Sequence, residues 1–319
     1  MAHILVTHGI PDEAFVILEG HRVSQPPKWQ TFPRDEMLSL LSDTDAILAC
    51  GAVTAEMIGA ASNLKIISNY GAGYEKIDVA AATKRGIPVT NCPDSTAIPT
   101  AEIAIGLILS CARRIGELDR KIREVPPEEL FGMGRYMGMS LSGRTLGIIG
   151  MGHIGSCVAA FGRLIGMRVV YYNRHQLPKD REQGAQHLPL EELLQSSDIV
   201  SIHCPLTEET HNLLSSSRLA LLKSSAILVN TARAAIVDYD ALTMMLKEGR
   251  LKGAGLDVFP KEPHVPADLL TLEQVVLTPH IGTNTREARF SMAKDACLRI
   301  LDALSGKRPP NVVNPEIYA

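Results

Sequence analysis

Short runs rich in β-branched residues alternate along this chain with longer stretches whose apolar residues recur at helical spacing. That alternation constrains the fold more than any other feature. Repeated strand–helix–strand units can share a sheet only if each helix crosses over one face, so they build parallel sheets covered by helices. Strands are predicted over residues 4–7, 46–49, 65–69, 145–150, 168–172, 199–203, 226–230, 253–258 and 275–278. Helices are predicted over 35–41, 101–123, 155–165, 190–195 and 238–248, with a last helix ending at Leu304. Pro99 is placed at the start of the 101–123 pattern, where the first turn needs no N–H. The chain has 319 residues, long for one hydrophobic core, so two domains are expected.

The segment Gly150-Met151-Gly152-His153-Ile154-Gly155 is a G-x-G-x-x-G that follows a predicted strand and opens an apolar helix. In that context each glycine has its own reason. Gly150 permits the tight turn, Gly152 lets a pyrophosphate approach the backbone, and Gly155 lets helix and strand lie close. A dinucleotide site follows. About twenty residues on, an acidic side chain would bind a ribose 2′-hydroxyl. This chain has Asn173-Arg174-His175 there instead. An amide donor, a guanidinium fork and an imidazole suit a 2′-phosphate, so NADP(H) is expected to be preferred, with NAD(H) also possible.

Three polar residues lie just past the ends of late strands: Arg233, Glu262 and His280. Open α/β sheets bind ligands at those ends. Reduction of a 2-keto acid needs a proton donor for the carbonyl oxygen, a cation for the carboxylate and a hydride. His280 suits the first, with Glu262 orienting and charging its ring, and Arg233 suits the second. The hydride would come from the cofactor. Taken singly, each residue reads more readily as a structural histidine, a solvated glutamate or a surface arginine; three in succession behind a dinucleotide motif point to catalysis.

A net charge of −3 offers no basis for nucleic-acid or membrane-surface binding. The pairs Arg113-Arg114 and Arg120-Lys121 read as a solvated helix face. Six cysteines (Cys50, Cys92, Cys111, Cys157, Cys204 and Cys297) show no metal-ligand spacing, so reduced thiols, no metal and a cytoplasmic location are expected. The opening Met-Ala-His-Ile-Leu-Val reads as a strand and not as a signal peptide. No apolar run is read as long enough to span a bilayer, the one after Ile98 being interrupted by Glu102.

The chain resembles the D-2-hydroxyacid dehydrogenase family over nearly its whole length. The resemblance is carried by Asn69-Tyr70-Gly71-Ala72-Gly73-Tyr74-Glu75-Lys76-Ile77-Asp78, Pro99-Thr100-Ala101-Glu102, the Gly-rich loop, His203-Cys204-Pro205-Leu206-Thr207, Asn230-Thr231-Ala232-Arg233, Gly255-Leu256-Asp257-Val258 with Glu262, and Pro279-His280-Ile281-Gly282. Within the family it is most similar to NADPH-dependent glyoxylate/hydroxypyruvate reductases. The resemblance implies two Rossmann-like domains with parallel sheets, a nucleotide domain of residues 99–284 inserted into a discontinuous substrate domain of 1–98 and 285–319. It implies that Arg233, Glu262 and His280 are catalytic, and that Val53, Ala72 and Gly73 bind substrate together with Arg233 and His280. It implies cofactor contacts from Thr100, Gly150, Gly152, His153, Ile154, Gly155, Cys204, Pro205, Thr231, Ala232 and Asp257, and a homodimer joined through the helix near Thr100. Two departures stand out: Ala234 where glycine usually follows the catalytic arginine, and His153 where arginine is commoner. The expected reaction is NADPH-dependent reduction of glyoxylate and hydroxypyruvate to glycolate and D-glycerate. The alternatives are an NAD-linked enzyme for another 2-hydroxy acid or an oxyanion such as phosphite, and a nicotinamide-sensing binding protein. The segment 126–139 reads equally as part of the pocket mouth or as a surface loop.

Overall fold

The computed structural model describes every residue except Pro127. The β-branched runs become strands β1 (His3–Val6), β2 (Arg22–Ser24), β3 (Ala46–Ala49), β4 (Ile66–Asn69), β5 (Val89–Thr90), β6 (Thr145–Ile149), β7 (Arg168–Tyr172), β8 (Gln186–His187), β9 (Ile199–Ile202), β10 (Ile227–Asn230), β11 (Gly253–Leu256) and β12 (Val275–Leu277). All the pairings among them are parallel. Every residue of β3, β4, β9, β10 and β11 is buried. Helices cover both faces of such sheets, which is why these strands read as unbroken apolar runs without alternation.

The chain divides into two units, residues 1–96 with 283–319 and residues 97–282. The first holds a five-stranded sheet in the order β2-β1-β3-β4-β5, the doubly wound order of flavodoxin-like sheets. The C-terminal helix Arg286–Leu304 packs on β3 and β4, burying Met292, Ala293, Ala296 and Ile300 against Ile4, Leu48 and Ile66. The second holds a seven-stranded sheet in the order β12-β11-β10-β9-β6-β7-β8. The chain leaves β6 toward β7 and β8, then returns to its other side with β9. The crevice at the carboxyl ends of β6 and β9 is therefore the topological switch point, where such sheets bind ligands.

Strands β2, β5 and β8 have two or three residues each and were not foreseen. A segment that short has no period to detect. The long helix differs too. It begins at Pro93, so Pro99 lies inside it, and Pro93 takes the N-terminal position expected of Pro99. It ends at Arg113, Arg114 adopts the left-handed conformation (φ 57°), and a second helix runs from Ile115 to Glu124. Apolar spacing resumes beyond the break, so periodicity reads through it. By length and composition the helix Pro93–Arg113 could cross a membrane, contrary to expectation. Its Ala101, Ala104, Leu107, Ile108 and Ala112 instead pack against Leu146, Ile148 and Val229 in the core.

The basic pairs are only partly a solvated face. Arg114 holds Glu117 through bonds of 2.7 and 2.6 Å, and Lys121 bridges Glu117 at 3.0 Å and Glu273 at 2.7 Å. The Tyr136 ring lies under both cations, at 5.3 and 5.4 Å. Around it, segment 126–139 exposes Phe131, Met133 and Met137 at the surface of its unit, while Met139 is buried; Pro127 lies outside the described residues.

Candidate active site

The Gly-rich loop leaves β6 at the switch point. Gly150 has φ 92°, and a Cβ there would meet the Cys204 N at 2.4 Å, so the His203–Cys204–Pro205 segment packs directly on the turn. A Cβ on Gly155 would meet the Gly150 carbonyl oxygen at 2.3 Å. A Cβ on Gly152 would meet nothing within 4 Å. Gly152 caps the helix His153–Leu164 with no side-chain bond, which leaves the first-turn N–H groups of Ile154 and Gly155 for an outside acceptor. Open space in front of a helix N-terminus is the cradle a pyrophosphate requires, so these residues fit a dinucleotide.

The catalytic candidates share the same unit. His280 sits after β12 in a left-handed conformation (φ 52°), and its Nδ1 lies 2.8 Å from Glu262 Oε2. The other carboxylate oxygen accepts the Phe259 N–H at 3.0 Å. Burial opposes ionisation of Glu262. The bonds from His280 and Phe259 and the charges of His280 and Arg233 outweigh it and hold the carboxyl below its usual range. Arg233 thus lies within electrostatic reach of the pair. It follows β10 on a loop that Asn230 clamps from both sides: its amide donates to the Arg233 carbonyl at 3.0 Å and its oxygen accepts the Ala232 N–H at 3.0 Å. Ala234, where glycine was the family expectation, is buried in the core.

Asp257 is 1% exposed. Its carboxylate accepts from Thr278 Oγ1 at 2.6 Å, Ile281 N at 2.9 Å and Gly282 N at 3.0 Å. All three donors belong to the turn that carries His280. Asp257, expected beside the cofactor, therefore anchors the turn that carries His280, and Thr100 lies buried next to Gly282 of that turn. Thr231 and His203 form a related chain: His203 Nε2 lies 2.8 Å from Ser201 Oγ and its Nδ1 3.4 Å from Thr231 Oγ1. Burial pushes the His203 imidazole down to about 3, so it stays neutral.

In the first unit, the loop after β4 is tied down by its carbonyls. The Asn69 amide donates to the Gly71 and Gly73 carbonyls at 3.0 and 2.9 Å, and the Asn91 amide to the Ala72 carbonyl at 2.7 Å. The N–H groups of Ala72 and Gly73 donate to no acceptor among the described residues, which suits them to an anion. Val53 does not share this character. It is fully buried, its N–H donates to the Lys76 carbonyl, and its carbonyl accepts from Asp78. The structure makes Val53 a packing residue, because its bridge to Ile77 uses the backbone groups a substrate would need.

Residues 105–282 match the family model described as D-isomer specific 2-hydroxyacid dehydrogenase, NAD binding domain. The chain belongs to this family. It is 40% identical to a glyoxylate reductase of Thermococcus litoralis, covering 98% of this chain and 97% of the relative, and 41% identical to one of Korarchaeum cryptofilum, covering 98% and 96%. Among solved structures it superimposes on a glyoxylate reductase from Paecilomyes thermophila with a TM-score of 0.89 at 31% identity, covering 99% of each chain. It also superimposes on an NADPH-dependent glyoxylate/hydroxypyruvate reductase from Sinorhizobium meliloti, in complex with NADP and malonate, with a TM-score of 0.86 at 29% identity, covering 98% of this chain and 96% of that one.

For this 2-hydroxyacid dehydrogenase, an oxidoreductase with a nicotinamide site, the coenzyme-facing residues divide. Asn173 Oδ1 accepts the Met151 N–H at 2.7 Å, so the side chain steadies the Gly-rich loop and points its amide nitrogen elsewhere. Arg174 and His175 are exposed, and Arg174 reaches Glu209 at 3.5 Å. Asn69 and Asn230 stood only within family segments, with no site role given to them, and Asn91 was not singled out from sequence. The signal available was a polar residue closing an apolar strand, as Asn69 closes β4 and Asn230 closes β10; Asn91 follows the two-residue β5 and had none.

Proposed function

We propose that the enzyme reduces glyoxylate, and hydroxypyruvate with it, to glycolate and D-glycerate, with NADPH preferred over NADH. The 2.8 Å pair of His280 and Glu262 beside Arg233 carries the reading. A nicotinamide cofactor, when bound, supplies the hydride that reaches the keto carbon. With Nδ1 committed to Glu262, His280 offers Nε2 to the carbonyl oxygen and delivers the proton there. Glu262, held ionised, stabilises the imidazolium before transfer. Arg233 neutralises charge building on the substrate. The N–H groups of Ala72 and Gly73, which donate to no acceptor among the described residues, suit a carboxylate. The two smallest polar 2-keto acids are favoured because the relatives at about 40% identity are glyoxylate reductases.

The coenzyme preference is supported by Asn173, which offers no carboxylate to repel a 2′-phosphate, and by Arg174. The exposed pair with Glu209 is worth at most about 1 kcal/mol and yields readily to a phosphate. Exposed Phe131, Met133 and Met137 support a homodimer, to be checked by sedimentation. Six free thiols fit a reducing, cytoplasmic setting. The decisive experiment is initial rates with glyoxylate, hydroxypyruvate, pyruvate and phenylpyruvate, each with NADPH and NADH. Fast turnover of the first two with NADPH supports the proposal. Preference for NADH removes the coenzyme argument alone, and no turnover with any keto acid removes the substrate class.

A further inference from the structure

Three buried guanidinium nitrogens have no hydrogen-bond partner among the described residues: Arg163 Nη1, Arg289 Nε and Arg299 Nε. Two of these side chains are anchored through another nitrogen, Arg163 by Gln183 at 2.5 Å and Arg299 by Asp295 at 3.8 Å. Arg289 makes no ion pair among the described residues. A partly buried cation without an acceptor is unfavourable, and such groups persist where a ligand meets them.

The surroundings hold Arg289 in place. Its guanidinium lies 5.8 Å from the centre of the Tyr70 ring, and the Tyr70 hydroxyl donates to the Arg289 carbonyl at 3.0 Å. The Cys50 thiol lies within reach of its charge, yet burial pushes that thiol up, so no thiolate balances the cation. Tyr70 directly precedes Gly71, Ala72 and Gly73, whose carbonyls are tied back while the Ala72 and Gly73 N–H groups donate to no acceptor among the described residues. One unit thus holds a guanidinium with no ion pair among the described residues against Tyr70, which directly precedes backbone suited to an anion.

We infer that Arg289 is a substrate-binding residue that receives the carboxylate of the 2-keto acid together with the N–H groups of Ala72 and Gly73. The assignment rests on the keto-acid reading above. A planar fork can serve two carboxylate oxygens at once, which an ammonium cannot.

The test uses Arg289→Met, Arg289→Gln and Arg289→Lys in the full-length enzyme. The expected result for Met and Gln is a KM for glyoxylate raised about tenfold or more with kcat within about threefold, the pattern of lost binding common to ground and transition states. KM for NADPH and Tm stay at wild-type values, inhibition by oxalate weakens in parallel, and Lys recovers part of the loss. A residue that only supports Tyr70 would lower Tm and kcat and leave the glyoxylate KM alone; that pattern, or unchanged KM and oxalate affinity, overturns the assignment. Two substitutions guard against one failing to fold. If the wild type reduces no keto acid, the functional reading fails separately, and calorimetric oxalate affinity of wild type against Arg289→Gln still decides Arg289.

Discussion

Replacing Gly152 with alanine separates the stability of the nucleotide unit from its capacity to bind cofactor. The new methyl would meet no heavy atom within 4 Å, and the backbone there, φ −93° and ψ −148°, lies outside the left-handed region. The folding cost is then only the poorer helix cap, about 0.5–1 kcal/mol, which lowers Tm by about 1–4 °C. Cofactor binding is a different matter. The methyl fills the space in front of the first-turn N–H groups, and crowding of one methyl against a rigid partner costs about 1–3 kcal/mol, or about five- to 150-fold in Kd. Gly155→Ala is the contrast. Its methyl would meet the Gly150 carbonyl oxygen at 2.3 Å and Ile148 Cγ2 at 2.9 Å, so stability suffers first. Fluorescence titration with NADPH and thermal unfolding of both variants make the comparison. Wild-type NADPH affinity in a folded Gly152→Ala enzyme would refute the reasoning, since the open space would then not be the pyrophosphate approach.

Glu262→Gln keeps the shape but removes the charge that orients and stabilises the His280 imidazolium; kcat for glyoxylate should fall about 10²-fold or more with NADPH affinity intact, and steady-state kinetics with a Kd measurement checks both. Asp257→Asn turns one buried acceptor into a donor facing the loop's N–H and hydroxyl groups, a loss of about 1–3 kcal/mol in loop order. It should depress kcat more than NADPH affinity, and the opposite pattern would make Asp257 a cofactor contact after all. The neutral His203 gives a pH signature. Its folded value of about 3 lies below the ordinary 6.5, so between these the unfolded chain binds a proton the folded one refuses, and stability falls as pH drops through that window. His203→Gln should flatten this acid limb in urea unfolding at pH 7.5, 5.5 and 4.5; an unchanged slope would show that other groups set it.

The parts of the site legible from sequence are those whose reason is local. Gly150, Gly152 and Gly155 could be given roles because a strand, a turn and a helix follow one another without interruption. His280, Glu262 and Arg233 could be picked out because each trails a strand end. Val53 misled because a loop position says nothing about whether its backbone groups are already bonded; Ile77 and its neighbours, over twenty residues away, use them. Asp257 could be placed near the cofactor by its family segment, but its commitment to the His280 turn depends on β11 lying beside β12. The long helix failed differently, through a single left-handed residue at Arg114 that apolar spacing cannot register.

The sequence by itself determined the class of fold and the dinucleotide turn and pointed to His280 and Glu262 as the candidate acid–base pair, because strand and helix periods and glycine conformations are set by neighbours along the chain. Only the tertiary structure decided which polar groups are spent on the protein and which are left for a ligand. Asn69 and Asn91 use up the carbonyls of the loop after β4, Asp257 holds the turn that carries His280, and Arg289 comes to Tyr70 across 219 residues with its Nε lacking a partner among the described residues. Hydrogen-bond partners are chosen by the path of the chain in space, and a donor is known to be free only when every acceptor around it has been placed.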